Sequence, residues 1–272
     1  MDFNVQLKNG QVLRGIILTP GEAPKGLILL VHGIGEHVHR YTGWAERFTN
    51  EGFVFAALDL PGHGRSDGAR GKVKRYSDLY EMIDILLRTV RRTFSEIPVY
   101  LYGHSMGGGI VLDYTVRFHP KVNGVIATSP WLKLSFDPPK IRKVLATIAK
   151  VLLPGLVQSS GLNVSYLSHD QSVIDLYKND PLVHDKISAA LFAGANSSAG
   201  YALDNASSLK LPALIVHGSE DMICSPDGSR LFASRTPLAR LKIWEGGFHE
   251  LHNEPFNDDV FNYIVSWIRN KK

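Results

Sequence analysis

The feature that most constrains the fold is a serine between two glycines, at the point where an apolar strand pattern gives way to a helical pattern. The G-x-S-x-G pentapeptide at 103–107 follows the apolar run 99–102 and precedes the helix-compatible stretch 108–118. A turn this sharp forces its central residue into strained backbone geometry, so the residues flanking it must be small. The strain lifts the Ser105 hydroxyl clear of the sheet. The pattern therefore predicts a nucleophilic serine at the carboxyl end of a strand.

A serine hydroxyl is a poor nucleophile until an imidazole takes its proton, and that imidazole needs a carboxylate to fix its tautomer. In chains with this strand–turn–helix arrangement the acid follows the serine and the histidine comes last. Asp221 lies just past the apolar strand pattern 212–218, and His249 follows the strand pattern 241–244. Open α/β sheets place their reactive groups at such strand ends. We expect a catalytic triad of Ser105, Asp221 and His249.

Three nearby residues are alternatives to these assignments. Glu220 and Asp227 could replace Asp221 as the acid, but Glu220 directly adjoins the turn and Asp227 lies past Pro226, in the next helical pattern. His252 lies three residues beyond His249, past the glycine-flanked loop. The sequence favours Asp221 and His249. The histidines that receive no functional role are His104, His119 and His169.

Acyl transfer at a serine also requires hydrogen-bond donors for the developing oxyanion. One donor is expected from the backbone N–H of Met106, the residue after the nucleophile, and the second from an early loop between a strand and a helix. The apolar run 27–31 is followed by such a glycine-containing loop, in which the N–H of Ile34 is the candidate. A plain glycine turn is the alternative. Losing one donor of this kind costs roughly 2.7–4 kcal/mol of transition-state stabilisation.

With these motifs the chain resembles the α/β hydrolases, and within them the monoacylglycerol lipases, which are also described as lysophospholipases. The resemblance implies an α/β-hydrolase fold: a mostly parallel central sheet with helices on both faces and an inserted helical cap. The alternation of strand and helix patterns along the chain independently favours a mostly parallel α/β sheet. The matching stretches are HGIGEH at 32–37, GHGRS at 62–66, GHSMGG at 103–108, DPL at 180–182 and HELH at 249–252.

The resemblance also implies a polar site for the glycerol head group, formed by Glu36, Arg40, Tyr177 and His252. A purely structural explanation stands beside it, because Glu36 and Arg40 are spaced to pair along the start of a helix and Tyr177 could cap a core. The implied reaction is hydrolysis of monoacylglycerols to fatty acid and glycerol through an acyl-enzyme. A lysophospholipase or general carboxylesterase, which acts on other single-chain acyl esters, is the alternative. The non-enzymatic alternative is a catalytically silent ligand-binding protein of the same fold.

The regular pattern of strands and helices breaks after Pro130. Residues 131–203 are rich in proline, serine and helix-compatible apolar runs and contain no clear strand. We therefore expect a helical cap at 131–203, inserted between the core segments 1–130 and 204–272. An apolar stripe within the cap is predicted to line an acyl tunnel, to rest on a lipid or micelle surface, or to pack on the core below. The stripe consists of Val144, Leu145, Ile148, Val151 and Leu152.

Composition narrows the functional classes. The 272 residues include 44% hydrophobic residues, a formal net charge of +4 and one cysteine, Cys224, so internal disulfides are excluded. No secretory signal or long apolar span is visible, which favours a cytoplasmic protein that at most associates peripherally with membranes. The basic groups at 65–75 and 133–143 are typical of a solvated face, and no nucleic-acid, metal or cofactor motif is present. Members of the resembled family carry a cysteine near position 224 that reacts with thiol reagents.

Overall fold

The computed structural model describes residues 1–136 and 155–270. The strands among them are β1 Asp2–Gln6, β2 Val12–Leu18, β3 Gly26–Val31, β4 Phe53–Leu58, β5 Val99–His104, β6 Gly124–Thr128, β7 Val157–Ser159, β8 Lys186–Ser188, β9 Ala213–Gly218 and β10 Ala239–Trp244. Eight of these strands form one sheet in the order β1-β2-β4-β3-β5-β6-β9-β10, with antiparallel pairing of β1 to β2 and of β2 to β4 and parallel pairing elsewhere. The predicted mostly parallel sheet is thus confirmed.

Helices cover both faces of this sheet. The helices that the structure describes are α1 Thr42–Asn50, α2 Ser77–Thr93, α3 Met106–Phe118, α4 Gln171–Asn179, α5 Ala189–Asp204, α6 Pro226–Ser234 and α7 Asn257–Arg269. Helices α1 and α7 pack on one face and α2, α3 and α6 on the other. Strand β4 is buried throughout, and its side chains alternate between two apolar cores, as expected for a strand covered on both sides.

The segment 131–203 contains α4 and α5, as the helical patterns predict, but it also contains a strand pair. The three-residue strands β7 and β8 pair antiparallel, which contradicts the expectation of no strand in this segment. Each carries a single apolar residue, too little for a period-two pattern to be visible in the sequence. The apolar stripe at 144–152 lies outside the described residues. No helix that the structure describes is both long enough and apolar enough to cross a membrane.

Backbone hydrogen bonds join the cap segment to two loops at the carboxyl ends of the strands. The carbonyl oxygens of Tyr166 and Leu167 accept the N–H groups of His249 (3.2 Å) and Glu250 (2.7 Å). A further cap residue, His184, donates its N–H to the carbonyl oxygen of Gly35 at 2.9 Å. Segment 131–203 therefore packs, through these residues, against loops at the end of the sheet to which the sequence assigns the reactive groups.

Candidate active site

Ser105 lies on the sharp turn that the sequence predicts between β5 and α3. Its backbone angles are φ 55° and ψ −121°, in the region that side-chain-bearing residues rarely adopt. A Cβ at Gly103 would overlap the carbonyl oxygen of Gly107, and a Cβ at Gly107 would overlap that of Val31. The turn is held by hydrogen bonds of the Ser105 backbone, whose N–H donates to Thr128 at 3.0 Å. Glycine is therefore required on both sides of a strained serine that is only 4% exposed.

A buried carboxylate–imidazole pair lies at the ends of the two following strands. Nδ1 of His249 is 2.7 Å from Oδ2 of Asp221, and both side chains are almost fully buried. The other oxygen, Oδ1, accepts the backbone N–H groups of Ile223 at 2.8 Å and Cys224 at 2.9 Å. Because Nδ1 faces a carboxylate, it carries the proton, and Nε2 of His249 is the nitrogen left to accept one.

The pKa values of this pair reflect mutual stabilisation against the cost of burial. Burial favours the neutral form of Asp221, but the nearby His249 charge and hydrogen bonds from His217 and His249 outweigh it and lower the pKa of the Asp221 carboxyl. Burial likewise disfavours the imidazolium, yet the Asp221 carboxylate raises the pKa of His249 above its usual range. A proton accepted by His249 is therefore stabilised in place.

Ser105 and His249 line the same cavity, of about 10 Å³, which is room for about one water molecule. Among the described residues no hydrogen bond joins the Ser105 hydroxyl to the His249 imidazole, whose hydrogen bond runs from Nδ1 to Asp221. Hydrogen bonds between a nucleophile and its base are often long without substrate and tighten in the complex. Leu162, Leu167 and Tyr177 of segment 131–203 also line this cavity.

The predicted oxyanion donors, the N–H groups of Ile34 and Met106, have no hydrogen-bond acceptor among residues 1–136 and 155–270. The side chain of His32 fixes the peptide that carries the first of them. Its Nε2 accepts the N–H of Leu60 at 3.0 Å, so its Nδ1 is protonated and donates to the carbonyl oxygen of Gly33 at 2.8 Å. In a planar trans peptide the N–H of Ile34 points the opposite way from that carbonyl. The peptide is thereby held against a flip.

Three of the four predicted glycerol-site residues, Glu36, Arg40 and Tyr177, line the cavity that holds Ser105. The carboxylate of Glu36 accepts hydrogen bonds from the guanidinium of Arg40 at 2.8 Å, the Tyr41 hydroxyl at 2.9 Å and the backbone N–H of Gly33 at 2.6 Å. The Arg40 guanidinium also lies over the Tyr177 ring, 4.6 Å from its centroid. Glu36 thus has a second role that the sequence did not indicate, because it holds the loop of the Ile34 donor.

The fourth residue, His252, lies behind the cavity wall and not on it. Its ring stacks on Tyr41, with the centroids 4.8 Å apart, and contacts the ring of His104 edge-on at 4.9 Å. Burial lowers the pKa of His252 to about 4, and neither ring nitrogen has a hydrogen-bond partner among the described residues. His252 therefore contacts His104, which does line the cavity.

Sequence reasoning missed two titratable side chains that line the cavity, Glu250 and His104. The Glu250 carboxylate accepts hydrogen bonds from both terminal nitrogens of Arg40, at 2.7 and 2.8 Å. Burial favours the neutral form of Glu250, but the charge of Arg40 outweighs it and lowers the pKa of the Glu250 carboxyl. Its position next to the predicted base His249 was the sequence signal that could have identified it as a site residue. His104 packs against His249 with ring centroids 4.8 Å apart, and burial lowers its pKa. Its position beside Ser105 was likewise visible in the sequence.

The alternative acids do not lie with His249. Glu220 and Asp227 are exposed, and Asp227 pairs with Arg230 at 3.2 Å and with Lys133 at 3.6 Å. Neither carboxylate has a hydrogen bond to an imidazole in the part of the chain that the structure describes. Of the three acids, only Asp221 contacts the predicted base.

The thiol of Cys224 is expected to resist thiol reagents in the folded protein. Its side chain is fully buried, and burial together with the Asp221 charge raises the pKa of the thiol well above its usual range. A thiol kept protonated and inaccessible reacts slowly. A colorimetric disulfide reagent should release its chromophore only after denaturant is added. Rapid modification of the native protein would contradict this and would agree with the reactivity that the family resemblance implies.

Comparison with known proteins places this site in a family. Residues 22–256 match the family described as serine aminopeptidase, S33. The chain is 34% identical over 258 residues to the monoacylglycerol lipase of Mycolicibacterium smegmatis (93% of this chain, 91% of the relative), and 32% identical over 276 residues to the monoglyceride lipase of Rattus norvegicus (97% and 88%). The crystal structure of Paleococcus ferrophilus monoacylglycerol lipase superposes with a TM-score of 0.87 at 32% identity (96% of this chain, 99% of that chain), which confirms the predicted α/β-hydrolase fold. The chain therefore belongs to the S33 family of α/β hydrolases and is a serine hydrolase related to the monoacylglycerol lipases.

Proposed function

We propose that this enzyme hydrolyses the ester bond of monoacylglycerols to a fatty acid and glycerol, with Ser105 as nucleophile. The observation that carries the proposal is the buried Asp221–His249 pair, whose free imidazole nitrogen belongs to the same cavity as the strained serine. The names of the relatives support the substrate class. Glu36, Arg40 and Tyr177 add a polar wall to that cavity, suited to an alcohol with several hydroxyls.

The reaction follows from the free nitrogen of His249. Nε2 takes the hydroxyl proton as Oγ of Ser105 attacks the acyl carbonyl carbon, and the oxyanion accepts the N–H groups of Ile34 and Met106. The imidazolium, stabilised by Asp221, then gives its proton to the glycerol oxygen, and the ester C–O bond breaks. A water molecule next gives a proton to His249 and attacks the acyl-enzyme. Return of the proton to Oγ of Ser105 releases the fatty acid.

The cap segment is also proposed to contact a lipid surface peripherally. Of the large apolar side chains that the structure describes in this segment, Phe136 is 43% exposed, Leu156 51% and Leu176 73%. Exposed apolar side chains on the element that covers an active site are suited to a membrane or micelle. Co-sedimentation of the protein with phospholipid vesicles tests this contact.

A panel of substrates tests the proposed function. The panel comprises monoacylglycerols of several chain lengths, diacylglycerols, lysophosphatidylcholine, short p-nitrophenyl esters and an amino-acid p-nitroanilide, the last because the family description names an aminopeptidase. The highest kcat/KM is expected for a monoacylglycerol. A preference for lysophosphatidylcholine would favour the lysophospholipase alternative, and a preference for short esters a general carboxylesterase. Activity on the anilide alone would contradict ester hydrolysis.

The activity should fall at acid pH with a midpoint above the ordinary histidine pKa of about 6.5. The imidazole must be neutral to accept the serine proton, and Asp221 raises the pKa of His249. The fraction of active enzyme therefore decreases as the pH falls through that raised pKa. The profile of kcat/KM against pH measures the midpoint, with circular dichroism at each pH to show that the protein remains folded. A midpoint at pH 5, or no acid limb, would rule out His249 as the base.

A further inference from the structure

A second histidine contacts the carboxylate of Asp221. His217, near the end of β9, is fully buried, and its Nε2 lies 3.1 Å from Oδ2 of Asp221 and 2.9 Å from the carbonyl oxygen of Cys224. Its Nδ1 lies 2.7 Å from the hydroxyl oxygen of Ser229 on α6. Both nitrogens of this ring are therefore occupied, and the ring joins the candidate acid to a helix of the core.

The partners decide which nitrogen of His217 carries a proton. Both groups near Nε2, the Asp221 carboxylate and the Cys224 carbonyl, can only accept, so Nε2 must donate. In the neutral ring Nδ1 then accepts the hydroxyl proton of Ser229. Of the two neutral tautomers, only the one protonated at Nε2 satisfies every contact of this ring, and the Asp221 carboxylate and the Cys224 carbonyl oxygen select it.

This contact completes the set of donors around Asp221. Oδ1 accepts two backbone N–H groups, while Oδ2 accepts Nδ1 of His249 and Nε2 of His217. With four donors the carboxylate has no freedom to rotate. An acid that fixes the tautomer of a catalytic imidazole must itself be held in place.

We propose that His217 is a positioning residue, which orients Oδ2 of Asp221 toward Nδ1 of His249 and acts on the reaction only through that carboxylate. The inference rests on the proposed roles of Asp221 and His249. His217 does not line the cavity that Ser105 and His249 share. Its effect is expected on kcat, because orientation of the base matters in the transition state, and not on KM.

Two substitutions at this position separate positioning from packing. Leucine removes all three hydrogen bonds of His217, whereas glutamine keeps an N–H donor near the position of Nε2. His217→Leu should lower kcat between about 10-fold and 100-fold, the scale expected for a misplaced catalytic group, with KM within about twofold of wild type. His217→Gln should recover most of the loss. If His217→Leu proves too unstable to purify, His217→Asn replaces it, because its shorter amide does not reach Asp221.

The double variant of His217→Leu with Asp221→Asn provides the decisive comparison. If His217 acts through Asp221, the double variant has the same kcat as Asp221→Asn alone, because Asp221→Asn has already removed the carboxylate that His217 orients. Losses that multiply, or a single His217→Leu variant with wild-type kcat, would overturn the inference while leaving the proposed function intact. Full activity of Asp221→Asn by itself would instead refute the proposed function. The downfield proton NMR signal of His249 Nδ1–H gives a second readout, which should shift or broaden in His217→Leu and not in His217→Gln.

Discussion

Ser105→Ala is expected to lower kcat on a monoacylglycerol by about a million-fold, as loss of the nucleophile does in other triads. Without Oγ no acyl-enzyme forms, and only the oxyanion donors and substrate binding continue to assist attack by water. The fold should be unaffected, because Ser105 is held by backbone hydrogen bonds and by the glycines beside it, which the substitution leaves in place. Initial rates of fatty-acid release at saturating substrate measure the loss.

Ser234→Ala is the matched control for this variant. Ser234 is exposed at the end of α6, and its hydroxyl bonds only the preceding turn of its own helix. Its removal should leave kcat unchanged, and both variants should melt within a few degrees of wild type. Turnover by Ser105→Ala within tenfold of wild type would refute the assignment of the nucleophile.

Asp221→Asn is expected to lower kcat by about 10⁴-fold. Each carboxylate oxygen of Asp221 accepts two N–H donors, Oδ1 from the backbone and Oδ2 from His217 and His249. An asparagine side chain must point its NH₂ group either at the two backbone N–H groups or at the two histidines. In both orientations a hydrogen-bond donor faces other donors. Relief requires His249 to move its proton to Nε2, which then can no longer accept the proton of Ser105. The same conflict should destabilise the fold by about 1–3 kcal/mol.

Asp227→Asn, at the alternative acid, controls for the loss of a carboxylate in this part of the chain. Asp227 is exposed, and among the described residues its carboxylate pairs with the surface cations Lys133 and Arg230, so kcat and stability should remain close to wild type. Steady-state kinetics and urea unfolding of both variants make the comparison. A large loss in Asp227→Asn with little loss in Asp221→Asn would reassign the acid.

Local sequence patterns identify the site residues that lie just beyond the end of a strand. Ser105, Asp221 and His249 were predicted because each follows an apolar run, and parallel strands bring their carboxyl ends to one edge of the sheet. The first turn of α3 was missed by two residues, since the glycines around Met106 lower the apparent helix propensity.

The contacts that sequence could not predict are those between distant residues with no periodicity. Glu250 and Arg40 are 210 positions apart, and no local pattern pairs them. His217 precedes Asp221 by only four residues, yet only the turn after β9 directs its Nε2 back onto the carboxylate. His252 was assigned to the glycerol site by resemblance, but packing against Tyr41 holds its ring behind the wall.

The most direct test of the account is covalent labelling with a fluorophosphonate, which reacts quickly only with an activated serine. Intact-protein mass spectrometry and mapping of the labelled peptide identify the site of reaction. We predict one label per molecule on Ser105 of the wild-type enzyme, and none at equal exposure on Ser105→Ala or on a His249→Ala variant. A label on any other residue, or no reaction of the folded wild-type enzyme, would contradict the claim that His249 activates Ser105.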